Sequence, residues 1–125
     1  QKLNINNSSI DLYGNGNEIR DWIYIQDAVD LLIMASNFSS KDSKGFQIFN
    51  GGAGFHYTVK EIVKKVCQKM ELYPIIKFNK KTRKGDPISL IGNNLKSEKL
   101  LGFKPNYDIE SGLTKYINWV KENNL

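Results

Sequence analysis

The chain has 125 residues, 40% of them hydrophobic and 25% charged, enough apolar sequence for the core of one modest domain and too much for a disordered segment. A single cysteine, Cys67, excludes an internal disulfide, and no cysteine and histidine cluster has zinc spacing, so a reducing compartment, the cytoplasm, is the simplest fit. The formal charge of +5 raises a nucleic-acid partner, but the charges are scattered, and the densest run, Lys77, Lys80, Lys81, Arg83 and Lys84, has only Phe78 nearby for base stacking.

From the N-terminus, Gln1 is not an initiator methionine and opens no secretory pattern, which suggests a chain that extends upstream. Asn4 to Ser9 is polar and reads as an irregular loop, and Ile10 to Tyr13 as a short strand. Gly14 and Gly16 then allow a tight turn. Arg20 follows on its shoulder, where a guanidinium can grip a bidentate anion such as phosphate, or can pair with Asp21 in a local cap. A second strand is expected over Trp22 to Ile25, and Asp27 is placed to cap a helix from Ala28 to Phe38. That helix has almost no polar face beyond Asp30 and Asn37, so it wants cover on most sides. Its longest apolar run, Leu31 to Ala35, is far too short to cross a bilayer, and no membrane partner is expected.

Lys41 to Gly45 is a polar loop, after which Phe46 to Asn50 has the composition of a buried strand. Gly51-Gly52-Ala53-Gly54 leads from it to a helix near Thr58, with Thr58 and Glu61 forming a capping box. The loop imitates a dinucleotide-binding turn but lacks the third glycine, since Tyr57 stands three residues past Gly54. Its backbone N–H groups can still meet an anion or a sugar hydroxyl, with Asn50 as the accompanying side chain. The helix from Thr58 to Met70 packs Val59, Ile62, Val63, Val66, Cys67 and Met70, which makes Cys67 a core residue and leaves Lys60, Lys64, Lys65 and Lys69 as a solvated face. His56 reads as a loop residue with no catalytic partner in sequence.

Pro74 ends this region and Ile75 to Phe78 reads as a strand. Of the 18 basic residues only Arg20 and Arg83 are arginines, so those two positions are the ones that call for a planar fork. In Arg83-Lys84-Gly85-Asp86-Pro87 a turn brings Arg83 and Asp86 to one side, which suits a phosphate with its attached ribose, or makes an ordinary surface turn. Leu95 to Leu101 is a short helix stopped by Gly102 and Pro105. A last helix, capped by Asp108, lines up Ile109, Leu113, Tyr116, Ile117 and Val120 with Trp119 on its flank, and Gly112 inside it marks a close approach.

Four segments together resemble the C-terminal part of an extended short-chain dehydrogenase/reductase acting on nucleotide sugars. Leu12-Tyr13-Gly14-Asn15-Gly16 through Arg20-Asp21-Trp22 to Asp27 resembles the family's glycine turn, Arg-Asp-aromatic and strand ending in Asp. Phe49-Asn50-Gly51-Gly52-Ala53-Gly54 with Tyr57 to Glu61 resembles its Tyr-Asn-x-Gly loop and capped helix. Arg83 to Asp86 resembles the Arg-x-Gly-Asp turn, and Leu101 to Pro105 the Leu-Gly-aromatic-x-Pro segment.

The resemblance implies an α/β fold, the C-terminal substrate-binding part of an extended Rossmann-type enzyme over residues 1–125, with about four helices and short strands and the N-terminal dinucleotide-binding domain absent. Residues 22–50 would contribute in part to that missing domain. By the same resemblance Arg20 and Arg83 would clasp the diphosphate of a UDP- or dTDP-hexose, Asp86 would meet the ribose, and Asn50 would lie near the substrate cleft. The glycine loop most resembles UDP-glucose 4-epimerases, while Arg20-Asp21-Trp22 is also common in dTDP-glucose 4,6-dehydratases; the epimerase is preferred. Both use NAD, and the full-length enzyme is expected to be a homodimer. No Gly-x-x-Gly-x-x-Gly precedes these residues, Tyr57 is followed by Glu61 and Tyr116 by Val120 where a Tyr-x-x-x-Lys would be needed. The chain alone is therefore expected to hold no catalytic, NAD-binding or metal site. A non-catalytic nucleotide-sugar-binding module and a basic nucleic-acid-binding domain are the other readings. A sheet edge and an apolar helix left open would favour self-association.

Overall fold

The computed structural model describes residues 8–38 and 45–123; the loops expected at 4–7 and 41–44 and the last two residues lie outside them. Nine elements follow in order: β1 (Ser9–Leu12), β2 (Ile19–Asp21), α1 (Ile25–Ser36), β3 (His56–Thr58), α2 (Val59–Met70), β4 (Ile75–Phe78), β5 (Ser89–Leu90), α3 (Leu95–Leu101) and α4 (Ile109–Glu122). The α/β class, the four helices and the short strands are as the sequence implies. β1 and β4 pair in parallel, and β2 lies between β3, antiparallel, and β5, parallel, in a separate three-stranded sheet.

Local chemistry explains the helix ends. Thr58 and Glu61 close the capping box of α2, the hydroxyl accepting from the Glu61 N–H at 3.2 Å and the carboxylate from the Thr58 N–H at 2.7 Å. Asp108 caps α4 by accepting from the Ser111 N–H, and Gly102, at φ 70°, ends α3. Gly112 does lie against a bulky neighbour, since a Cβ there would meet Cβ of Tyr24 at 3.2 Å.

Five expectations need correction. The second strand is not Trp22 to Ile25 but Ile19–Asp21, because its hydrogen-bonding partners, β3 and β5, sit opposite those residues and Ile25 already begins α1. Asp27 caps nothing: α1 starts two residues earlier, and the fully buried Asp27 carboxylate accepts from the N–H groups of Asn106 and Tyr107 at 2.9 and 3.1 Å. His56 lies in β3, paired with Asp21, not in a loop. Phe46 to Asn50 forms no strand and is not buried; Phe46 and Ile48 are 86% and 67% exposed, and the segment is held from one side by α3, Lys96 donating to the Ile48 carbonyl and Ser97 to that of Asn50. Nor is the lysine face of α2 wholly solvated, since Lys65 and Lys69 both bind Glu110 of α4, and the Lys65 hydrogen bond foremost holds that carboxyl below the ordinary glutamate range.

The described core is small. Leu31, Ala53, Ile62, Phe103 and Ile117 are buried, while Cys67 is half-buried. Of α1, Ile25, Leu32 and Ile33 remain more than half exposed, the uncovered apolar face that its sequence foreshadows. No helix among the described residues is long and apolar enough to cross a membrane.

Asp27→Ala strands two backbone donors in a buried site and is expected to cost about 3 kcal/mol, read as a lowered melting temperature, with Asp27→Asn falling between it and the parent. The isolated chain should sediment as a self-associating species at micromolar concentration, in contrast to a monodisperse, cooperatively melting monomer.

Candidate functional site

β2 and the two glycine turns flanking it build the site. Gly14 has φ +84°, and a Cβ there would overlap the Glu18 carboxylate, which accepts from the N–H groups of Asn15 and Gly16, each at 2.9 Å. These backbone donors, that of Asn15 foremost, hold the Glu18 carboxyl below its ordinary range. Across β2, Asp21 does the same for the second loop: its Oδ1 accepts from Ala53 and Gly54 at 2.8 and 3.1 Å, and its Oδ2 from Gly92 at 3.2 Å. Asp21 is therefore not a local cap for Arg20. The N-terminus of α2 is closed as well, because the N–H groups of Val59, Lys60 and Glu61 go to Glu18, Gly16 and Thr58. The expectation that the Gly51–Gly54 loop offers its N–H groups to an anion fails at Ala53 and Gly54, whose donors are already taken.

Arg20 is half-buried, and its Nη1 donates to the carbonyls of Ile19 and Pro87 at 2.8 and 3.1 Å. One nitrogen thus orients the guanidinium. Arg83 is exposed and lies over the Tyr13 ring, 4.8 Å from its centroid. The turn foreseen at Arg83 to Pro87 is closed by the Asp86 N–H donating to the Arg83 carbonyl at 3.1 Å. Arg20, Arg83 and Asp86 line one open cleft of about 330 Å³, with Tyr13 and Lys81 on its wall. Asn50 is not in that cleft. It borders an adjoining recess of about 300 Å³ that Arg20 shares, and its amide donates to the Asn93 carbonyl at 3.2 Å. Three of the four residues singled out from sequence thus come together, and the fourth stands on the far side of Arg20.

Sequence reading passed over Glu18 and took Asp21 only as a neighbour of Arg20 and part of a motif. Glu18 carries a local signal, a carboxylate two and three residues past the turn N–H groups it binds. Asp21 carries none, since its partners lie 32, 33 and 71 positions away. Among the described residues no group of three His, Cys, Asp or Glu side chains could hold a metal ion.

This order of helices and strands is the fold of the C-terminal part of an extended short-chain dehydrogenase/reductase. An epimerase from Methanothermobacter thermautotrophicus superposes with a TM-score of 0.82 at 22% identity over 93% of this chain and 34% of that one. A UDP-glucose 4-epimerase from Bifidobacterium longum, solved with NAD+ and UDP, gives 0.77 at 24% identity over 93% and 36%. The chain belongs to the family described as GDP-mannose 4,6 dehydratase, whose model matches residues 2–116. In sequence it is 34% identical over 109 residues to a UDP-glucose 4-epimerase of Halalkalibacterium halodurans, covering 86% of this chain and 32% of that protein. The chain spans about a third of the length of the curated relatives it matches.

Because backbone donors stabilise the ionised form of Glu18, their contribution to the turn is present above the ordinary glutamate pKa and is lost as pH falls through the depressed one. The amide resonances of Asn15 and Gly16 should shift together on acidification, with a midpoint below the ordinary glutamate range. A midpoint at or above it would mean the turn does not hold the carboxylate.

Proposed function

We propose that this chain supplies the nucleotide-sugar-binding part of an NAD-dependent 4-epimerase of the UDP-glucose/UDP-galactose type. Arg20 and Arg83 grip the diphosphate, Asp86 accepts hydrogen bonds from the ribose hydroxyls, and Asn50 lies beside the sugar. The observation that carries this reading is the gathering of the chain's only two arginines, with Asp86, on one cleft whose size suits a small ligand. A guanidinium matches phosphate oxygens bidentately, and a carboxylate can only accept, so the pair is selective for a phosphate joined to a hydroxylated ring. The backbone donors that could compete for the anion are occupied by Glu18 and Asp21, which leaves the arginines to bind it.

The same closure speaks against NAD at these residues. A dinucleotide pyrophosphate needs free N–H groups at a glycine turn, and the turn donors of Asn15, Gly16, Ala53 and Gly54 are spent on the chain's own carboxylates. NAD and the catalytic groups belong to the rest of a longer, homodimeric cytoplasmic enzyme, with residues 22–50 completing its Rossmann domain and the chain by itself inactive. A dTDP-glucose 4,6-dehydratase is the second reading, favoured by the dehydratase description of the matching family and by Arg20-Asp21-Trp22.

Titration of the full-length protein with UDP tests the site. Arg83→Ala should weaken UDP by ~10–100-fold, the loss of a charge-assisted phosphate contact, and Arg83→Lys should recover only part of it. Equal UDP affinity in the parent, Arg20→Ala and Arg83→Ala proteins would reject the reading. Tighter binding of dTDP than of UDP would favour the dehydratase.

A further inference from the structure

We infer that Asp21 is a positioning residue for the diphosphate clasp, acting through β5 on the turn that carries Arg83 and Asp86. The inference rests on the nucleotide-binding reading of that cleft. Every residue from Lys81 to Ile91 is exposed, so little apolar burial holds this segment in place. Its first half leans on the turn after β1, with Lys80 donating to the Gly14 carbonyl and Arg83 resting on Tyr13, and its second half is held by a short set of hydrogen bonds to β2. The Ile19 N–H donates to the Ile88 carbonyl at 2.9 Å, Arg20 to that of Pro87, and β5 adds only two paired residues, Ser89 opposite Ile19 and Leu90 opposite Arg20.

Asp21 fastens the far end. Its Oδ2 accepts from Gly92, two residues past β5, while its Oδ1 accepts from Ala53 and Gly54, just before β3. One carboxylate thus ties both outer strands to the central one, and a hydrogen bond to an ionised acceptor is stronger than a neutral one. The surroundings are shaped around it: a Cβ on Gly52 would overlap the Asp21 carboxylate, and one on Gly92 would stand 3.4 Å from Oδ2. Successive residues of a strand face opposite sides, so the same strand that aims Arg20 at the cleft aims Asp21 at these loops. Loosening Gly92 frees β5, and with it the exposed turn whose Arg83 must meet a phosphate within a fraction of an ångström.

Asp21→Asn is the informative change. An amide matches the carboxylate in shape but accepts at one end only, so either Gly92 or the Ala53–Gly54 pair loses its acceptor. UDP titration of the full-length protein, in a double-mutant cycle with Arg83→Ala, reads the result. Asp21→Asn should weaken UDP by about tenfold in the parent and by less than about twofold in the Arg83→Ala background, because its effect runs through Arg83. Gly52→Ala, which displaces the carboxylate and keeps its charge, should reproduce that pattern. Equal weakening in both backgrounds, no weakening in either, or failure of both variants to fold would overturn the inference and leave Asp21 a stabilising residue only. If Arg83→Ala by itself leaves UDP affinity unchanged, the nucleotide-binding reading falls first.

Discussion

Glycine-rich turns expose backbone N–H groups that cannot be left dry and unpaired, and in this fold the chain meets that need with its own carboxylates. Glu18 and Asp21 flank Ile19 and Arg20, and each closes one glycine turn. The rest of the site depends on this. With the turns satisfied internally, β2 lies between β3 and β5, and Arg20 projects from the central strand. A glycine turn is here a structural joint, and the positive groups left on the cleft are side chains.

That division of labour fits the geometry of a guanidinium. Arg20 is oriented by two carbonyls and Arg83 by the face of Tyr13, so both forks are partly ordered by the chain itself. Lysine, used at sixteen other positions in the chain, has no such plane to set. The exposure of Arg83 and Asp86 beside the half-buried Arg20 makes the cleft asymmetric, one wall set on a central strand and the other carried on an exposed turn.

α1 and the segment before the second glycine loop have a different character. α1 is anchored by the buried Asp27 carboxylate to the loop before α4, yet leaves Ile25, Leu32 and Ile33 open, and Phe46 and Ile48 are open as well, with α3 donating to the carbonyls of Ile48 and Asn50. An apolar surface of this kind is stable when covered. The described residues therefore combine a polar, internally satisfied site with a face whose apolar groups lack protein neighbours, in a chain about a third the length of its curated relatives.

Local chemistry was legible from sequence alone. The capping box at Thr58 and Glu61, the Asp108 cap, the stop at Gly102 and the turn at Arg83 to Asp86 all involve partners within four residues, so spacing determines them. The scarcity of arginine and the order of four motifs single out Arg20, Arg83 and Asp86, and the structure brings these three to one cleft. Tertiary structure decided the rest. Asp27 has the spacing of a cap and binds Asn106 and Tyr107 instead, and Asp21 looks like a neighbour for Arg20 but reaches Gly92. β2 lies three residues before the apolar run that suggested it, because a strand is placed by the edges it pairs with. A carboxylate's local sequence says that it can accept hydrogen bonds; only the fold says which distant N–H groups arrive to donate them.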